Sequence, residues 1–369
     1  MSVNWMRYCE LLLEDASKAS IILGDLSVEF VINTHVQSSG STATISIYNL
    51  SAETRNAIVS GKYKKLRLIA GYTGVLPDKN EEEPVIPDYM VGKAIENPPV
   101  KSGGPNYGEI FSGEIRYAFI VGTGSSSDKQ KQSETVLKIQ AIDGHQAAME
   151  ATVNTTVAAG YDTSAIHRLT LRSFNPYGVT AGATGTMPPT RFPRGRVLYQ
   201  TASQVMDNVA AQCRATWQFV DGKLQMVPEE SYLERIVVLN SQTGMIGSPE
   251  LTTEGVNIKC LIDPTLRLHG LVHINQAALN SMRNAMESVN RAAAEEREAA
   301  AKGNKAQPQA APQDKQKTAQ PPADIAADGV YIVKGITYEG HTRDSKWYMT
   351  LTCVVRDKQT ALKAPAAPH

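Results

Sequence analysis

Three stretches in the first third of the chain place an apolar residue at every second position, and this period of two limits the fold more than any other feature. Val28, Phe30 and Ile32 form one such row, Ala43, Ile45 and Ile47 a second, and Leu66, Leu68 and Ala70 a third. Successive side chains of a strand point to opposite faces, so the spacing predicts half-buried antiparallel strands. Between the second and third rows lies SAETRNAIVSG, Ser51 to Gly61. It predicts a short helix with Ser51 as its cap, Glu53 at its positive end and Gly61 at its exit. Further strands are expected over Ile110–Phe119 and Val136–Ile142, the second ending at Asp143-Gly144. Short strands in series with one small helix predict a β-barrel. Pro77–Pro105 and Gly122–Ser133 (GTGSSSDKQKQS) read as loops at a rim or edge.

The middle third changes period. Thr201 is placed to cap a helix on which Val205, Met206, Val209, Ala210 and Cys213 recur at helical spacing. Trp217 to Val220 and Lys223 to Val227 flank Asp221-Gly222. Asp-Gly between two such runs predicts a hairpin, because a type I′ turn needs two residues that tolerate positive φ. The segment reads as a small α+β module with Trp217, Phe219, Leu224 and Met226 in its core.

Strand character then returns at Ile258, Cys260 and Ile262, is broken by Pro264, and resumes at Leu271–Ile274. After a long interruption it continues at Val330–Val333, Ile336–Tyr338 and Trp347–Val355, with GHTRDS (Gly340–Ser345) as the tip between the last two. A second barrel split by an insertion is expected. Within the insertion Leu279, Met282, Met286, Val289 and Ala293 recur at 3, 4, 3 and 4. That is coiled-coil spacing over about two heptads, and it fits equally a single amphipathic helix on its own domain. Leu279, Met282, Met286 and Val289 are the candidate interface residues. Lys302–Asp324 is rich in proline, glutamine and alanine, has little to bury, and reads as a disordered tether, as does the tail after Lys363. The expected division is residues 1–147, 148–245, a second barrel from 246–275 with 328–358, an insertion over 276–327, and a tail over 359–369.

Function classes narrow by exclusion. The 369 residues suit two or three domains, and 42% hydrophobic with 20% charged residues is ordinary globular composition. Lys plus Arg and Asp plus Glu are 37 each, a net charge of zero, which argues against a protein built to grip a phosphate backbone. Met1–Leu13 lacks the features of a secretory signal, and no apolar run reaches the roughly 18 residues of a membrane helix. The chain is therefore expected to fold in the cytosol, without stable membrane insertion. Cys9, Cys213, Cys260 and Cys353 form no C-x-x-C pair, which argues against a zinc or redox site, and Cys260 and Cys353, in apolar strand-like runs, read as buried thiols. If the strands carrying Cys260 and Cys353 are neighbours, those two thiols lie close.

Neither a G-x-x-x-x-G-K-[ST] nor a G-x-S-x-G motif is present, and His145 lacks the second histidine of H-E-x-x-H. Asp143-Gly144-His145 reads as a turn, Cys213 as a core thiol, and Glu81–Glu83 and Glu295-Glu296 as solvated faces. No catalytic residue, metal site or cofactor is expected.

The order of these segments carries a resemblance. IYNLSAETRNAI, KKLRLIAGYTG, EIFSGEIRYAFI and VLKIQAIDGHQAA, in that order, resemble the first barrel of phage baseplate or tail hub proteins. RGRVLYQTASQVMDNVA with TWQFVDGKLQMVPE is similar to the middle module of such hubs. VVLNSQTGMIGSPELTTEGVNIKCLIDPTLRLHGLVHI with DGVYIVKGITYEGHTRDSKWYMTLTCVV is similar to their split second barrel.

The resemblance implies a mainly β protein of two tail-tube-like antiparallel barrels and a non-enzymatic structural role. It implies a homotrimer whose six barrels make a pseudo-sixfold ring between a sixfold tail tube and a threefold central spike. Tape-measure and baseplate wedge proteins are further implied partners. DNA would pass through the lumen without sequence-specific contact. The implied location is the virion tail or baseplate, assembled in the bacterial host cytoplasm. Two other readings stand beside this one: another tail or type VI secretion spike-base component, and a tail-borne cell-wall hydrolase using Cys213 or His145.

Overall fold

The computed structural model describes residues 6–17, 19–36, 40–75, 94–95, 105–123, 134–229, 231–233, 236–252, 255–274, 325–326, 329–356 and 361–362. The architecture is mainly β, with an α+β module between two β lobes. The first lobe comprises β1 (Arg7–Asp15), β2 (Ser20–Leu23), β3 (Val28–His35), β4 (Thr42–Tyr48), β5 (Tyr63–Val75), β6 (Pro105–Thr123) and β7 (Glu134–Ile142). The short helix α1 (Ala52–Val59) sits between β4 and β5. Ser51 caps α1 by accepting from the Thr54 N–H at 3.2 Å, and Gly61 leaves it with φ of 76°, so this local signal works as the sequence indicates.

The predicted rows are buried as one face: Val28, Phe30 and Ile32, then Ala43, Ile45 and Ile47, then Leu66, Leu68 and Ala70. β1 was not expected. Leu11 and Leu13 are its buried positions, but Leu12 between them hides the alternation in a run of three leucines.

The middle module contains α2 (His145–Glu150), β8 (Thr152–Val157), α3 (Thr163–Phe174), β9 (Thr180–Thr184), β10 (Arg196–Thr201), α4 (Ala202–Cys213), β11 (Ala215–Val220) and β12 (Lys223–Pro228). The Thr201 hydroxyl accepts from the Gln204 N–H at 3.4 Å at the start of α4. Asp221 and Gly222 have φ of 52° and 70°, as the hairpin requires. Phe174, Val205, Met206, Val209, Trp217, Phe219, Leu224 and Met226 make a core of their own. α3 escapes sequence detection because its buried stripe includes His167 and Thr170 beside Ile166 and Phe174. The Thr170 hydroxyl is satisfied by donating to the Ile166 carbonyl at 2.9 Å.

The second lobe comprises β13 (Ile236–Leu239), β14 (Val256–Leu261), β15 (Leu271–Ile274), β16 (Val330–His341) and β17 (Trp347–Val355). The two stretches expected at Val330–Val333 and Ile336–Tyr338 are one strand, β16, with a register shift between Val333 and Gly335. Before the shift β16 pairs with β15, at Leu271↔Ile332; after it β16 pairs with β3, from Gly335↔His35 to His341↔Glu29. One strand therefore belongs to both lobes. The pairing path among described residues runs Glu250–Leu251, β14, β17, β16, β3, β4, β7, β6, β5, β1, β2, within a sheet of 13 strands. A large hydrophobic core follows it from Leu11 to Cys353, and Leu271, Val330 and Ile332 form a small separate cluster with Tyr232.

Among the described residues backbone pairing stops at β2, yet the first lobe curls back on itself. The Arg7 guanidinium at the start of β1 donates to the carbonyls of Asp344 and, at 3.2 Å, Ser345 in the β16–β17 turn, and lies 5.6 Å from the Trp347 ring centre. The same turn is held from the β2–β3 connection, where Thr342 Oγ1 donates to the Leu26 carbonyl at 3.1 Å and Arg343 to the Asp25 carbonyl at 3.0 Å. Side chains, rather than a strand ladder, complete this ring.

Candidate functional site

The groups singled out as possible chemistry fall apart in space or take structural parts. Cys213 ends α4, half-buried against the middle core, and burial pushes its thiol up, away from the reactive thiolate. His145 begins α2 with the Arg116 guanidinium against its ring. The strands of Cys260 and Cys353 are indeed neighbours, but Cys260 faces Met349 and Cys353 faces Val256, four positions along the ladder. Both thiols are free, and burial raises both. Gly122, expected to open a loop, lies within β6. Among the described residues no group of three or more His, Cys, Asp or Glu is placed to hold a metal. Glu81–Glu83 and Glu295-Glu296 lie outside the described residues, as do the interface candidates Leu279, Met282, Met286 and Val289.

The arrangement offers surfaces. β6 pairs with β5 up to Glu114, where its pairing with β7 begins; beyond Glu114, residues 115–123 pair with β7 alone, and no described strand meets the other edge. Tyr117, Phe119, Ile120 and Val121 on this outer half are exposed, Tyr117 to 53%. Unpaired backbone and apolar side chains on one edge are a template for another chain. The signal was present in the sequence: Ala118-Phe119-Ile120-Val121 abandons the alternation that a strand with one wet face needs. Next to this edge a cavity of about 1150 Å³ opens between the first lobe and the middle module. Lys64, Lys65, Arg116, Glu14, Glu114 and Glu150 line it with charges of both signs. A second exposed apolar pair, Val197 and Tyr199 on β10, stands opposite Thr156 and Asn154 of β8.

Three modules meet at the tip of the β11–β12 hairpin. Asp143, at the end of β7, is 2% exposed and accepts from the Gly222 N–H, with its two oxygens 3.1 and 3.3 Å away. Arg267, from the turn before β15, donates to Asp221 at 2.7 Å. Gly144 permits the approach: its φ is 62°, and a Cβ there would lie 2.5 Å from the Phe219 ring. The Asp143 carboxyl is pushed up to about 8, first by burial and then by the Asp221 charge, against the opposing pull of the Gly222 and Asp221 N–H groups. Burial also raises Asp221, and Arg267 opposes it. Both Asp-Gly pairs were legible as turns; that one turn would bind the other was not.

No family model matches the chain, and no curated protein matches it. Among solved structures it is similar to the 43 kDa tail protein of prophage MuSo2 from Shewanella oneidensis. That match covers 94% of this chain and 97% of the other, at 8% identity and a TM-score of 0.50. A tail protein from Neisseria meningitidis MC58 aligns over 96% and 98% of the two chains, at 10% identity and a TM-score of 0.45. An E. coli component of the type VI secretion system, described as structurally similar to the T4 tail proteins gp27 and gp5, aligns over 93% and 77%, at 9% identity and a TM-score of 0.45. The fold is thus one found in a phage tail protein, shared from end to end with the Shewanella prophage structure.

Proposed function

We propose that this chain is a structural, non-enzymatic hub of a phage-type tail. Three copies form a ring of six β lobes that joins a sixfold tail tube on one face to a threefold central spike on the other. The observation that carries the reading is the end-to-end match in fold to a prophage tail protein, covering both lobes and the middle module. Because a fold hosts many functions, the surfaces must also fit. Two β lobes fused through β16 let one chain present two lateral surfaces, which a closed cyclic assembly needs. The exposed edge of β6 supplies one of them. A net charge of zero suits a wall past which DNA moves without sticking. In this reading the protein resides in the virion tail or baseplate, assembles in the host cytoplasm, and also meets tape-measure and wedge proteins. Leu279, Met282, Met286 and Val289 bury against protein in the assembly.

End-on negative-stain images of the purified protein test the reading, with a six-lobed ring expected. Tyr117→Lys with Phe119→Lys removes the apolar edge at positions already exposed, so the subunit keeps its circular dichroism spectrum and the ring dissociates. Met282→Lys with Met286→Lys acts in the same direction. Single particles without a ring, in the parent protein and with tube and spike proteins added, would overturn it.

A further inference from the structure

The tip of the β11–β12 hairpin is the place where a buried acid of the first lobe, an acid of the middle module and a cation of the second lobe converge. We propose that it is a proton-sensitive latch: with Asp143 neutral the middle module is docked on both β lobes, and ionisation of Asp143 releases it. This goes beyond the hub reading and does not rest on it.

The geometry sets the charge balance. Asp143 is enclosed, and among the described residues its carboxyl meets the N–H groups of Asp221 and Gly222; the charged groups facing it are Asp221 and Glu114, both negative. Asp221 is faced by Arg267, Lys223 and Arg67. Arg67 is already engaged by Glu109, donating through Nε at 2.6 Å, and by Glu14; Glu109 and Tyr338 also feel Asp221. The cations thus serve Asp221 and Glu109, and among the described residues none faces Asp143. A second carboxylate ionising within this enclosed cluster lacks a counter-charge, which is the arrangement that raises one acid of a close pair. Opening the contact between Gly222 and Asp143 hydrates it. Lifting the tip withdraws Val220 from the core of the lobes while the module keeps a core of its own.

The direction of the pH dependence follows. Asp143 holds its proton to about pH 8 when docked and loses it near 3.9 when unfolded. The native state therefore binds more protons in between, and stability falls as pH rises through that window, levelling off above about 8. His167 and His269, which burial keeps neutral, act with the opposite slope only below about pH 6.5. Above about pH 8 the thiols of Cys9, Cys213, Cys260 and Cys353, raised by burial while unfolded thiols titrate near about 8.5, add a falling slope of their own. The clean interval is therefore about pH 6.5 to 8.

The test is thermal melting and amide hydrogen exchange of the full chain across that interval, for the parent protein, Asp143→Asn and Asp221→Asn. In Asp143→Asn the side-chain amide keeps an oxygen for the Gly222 N–H and cannot ionise. The parent melting temperature is expected to fall by about 3 °C over the interval. Over the same interval, after correction for the intrinsic rate, exchange at Gly222 and Phe219 is expected to rise by about tenfold or more. Asp143→Asn abolishes both changes. Asp221→Asn removes the charge that opposes ionisation of Asp143 and shrinks them. A parent slope unchanged in Asp143→Asn overturns the proposal. So does a parent protein whose exchange at Gly222 is flat with pH, even if Asp143→Asn fails to fold.

Discussion

The fused β lobes and the middle module are built on opposite plans. The lobes share a strand, a sheet and their main hydrophobic core, and the second lobe adds only a small cluster of its own around Leu271 and Ile332. The middle module encloses its own core and meets the lobes at the hairpin tip, where Val220 packs on their core beside the Asp143 and Arg267 contacts, and at α2, where Glu114 accepts from the Gln146 N–H at 2.7 Å. Continuity of a sheet makes a rigid frame, whereas a self-contained core with a polar contact makes a part that can be displaced whole. In the proposed ring a subunit needs the first property, and motion within the chain comes from the second.

The sharpest way to break this contrast is Trp347→Ala. Trp347 of β17 packs edge-on against Phe30 of β3, ring centres 5.5 Å apart, across the junction of the lobes. Truncation is expected to cost about 3–5 kcal/mol in chemical denaturation. Hydrogen-exchange protection should fall together in β3–β5 and in β14–β17. Loss confined to β14–β17 would mean the lobes fold separately.

Phe219→Ala tests the other half. Phe219 packs edge-on against both Phe174 and Trp217, so its loss is expected to cost about 3 kcal/mol. Exchange should rise in α3, α4 and β11–β12 while the lobes keep their protection. The smallest effect is expected for Arg7→Ala, which unties the side-chain closure of the first lobe. Its contacts are solvent-exposed, so about 1 kcal/mol is expected, with faster exchange at the β16–β17 turn.

The same contrast governs what could be read from sequence. Strands with one wet face announce themselves, and Val28–Ile32, Ala43–Ile47 and Leu66–Ala70 are buried on the side their alternation indicates. Local caps and the Asp221-Gly222 turn were equally legible, since their chemistry lies within a few residues. β16 shows the limit: the sequence divides it at Lys334-Gly335, which is where the strand exchanges β15 for β3 as its partner. Gly335 is needed there because a Cβ would meet the His35 ring at 2.5 Å, a contact between residues 300 positions apart. α3 was hidden by His167 and Thr170, polar residues whose burial depends on neighbours far along the chain. The Asp143 latch was hidden for the same reason.

The mass of the purified chain in solution, measured by sedimentation or light scattering with and without the proposed spike partner, tests the central claim most directly. A trimer of about 120 kDa, three times 40.0 kDa, is expected in at least one condition. A 40.0 kDa monomer in both would contradict it.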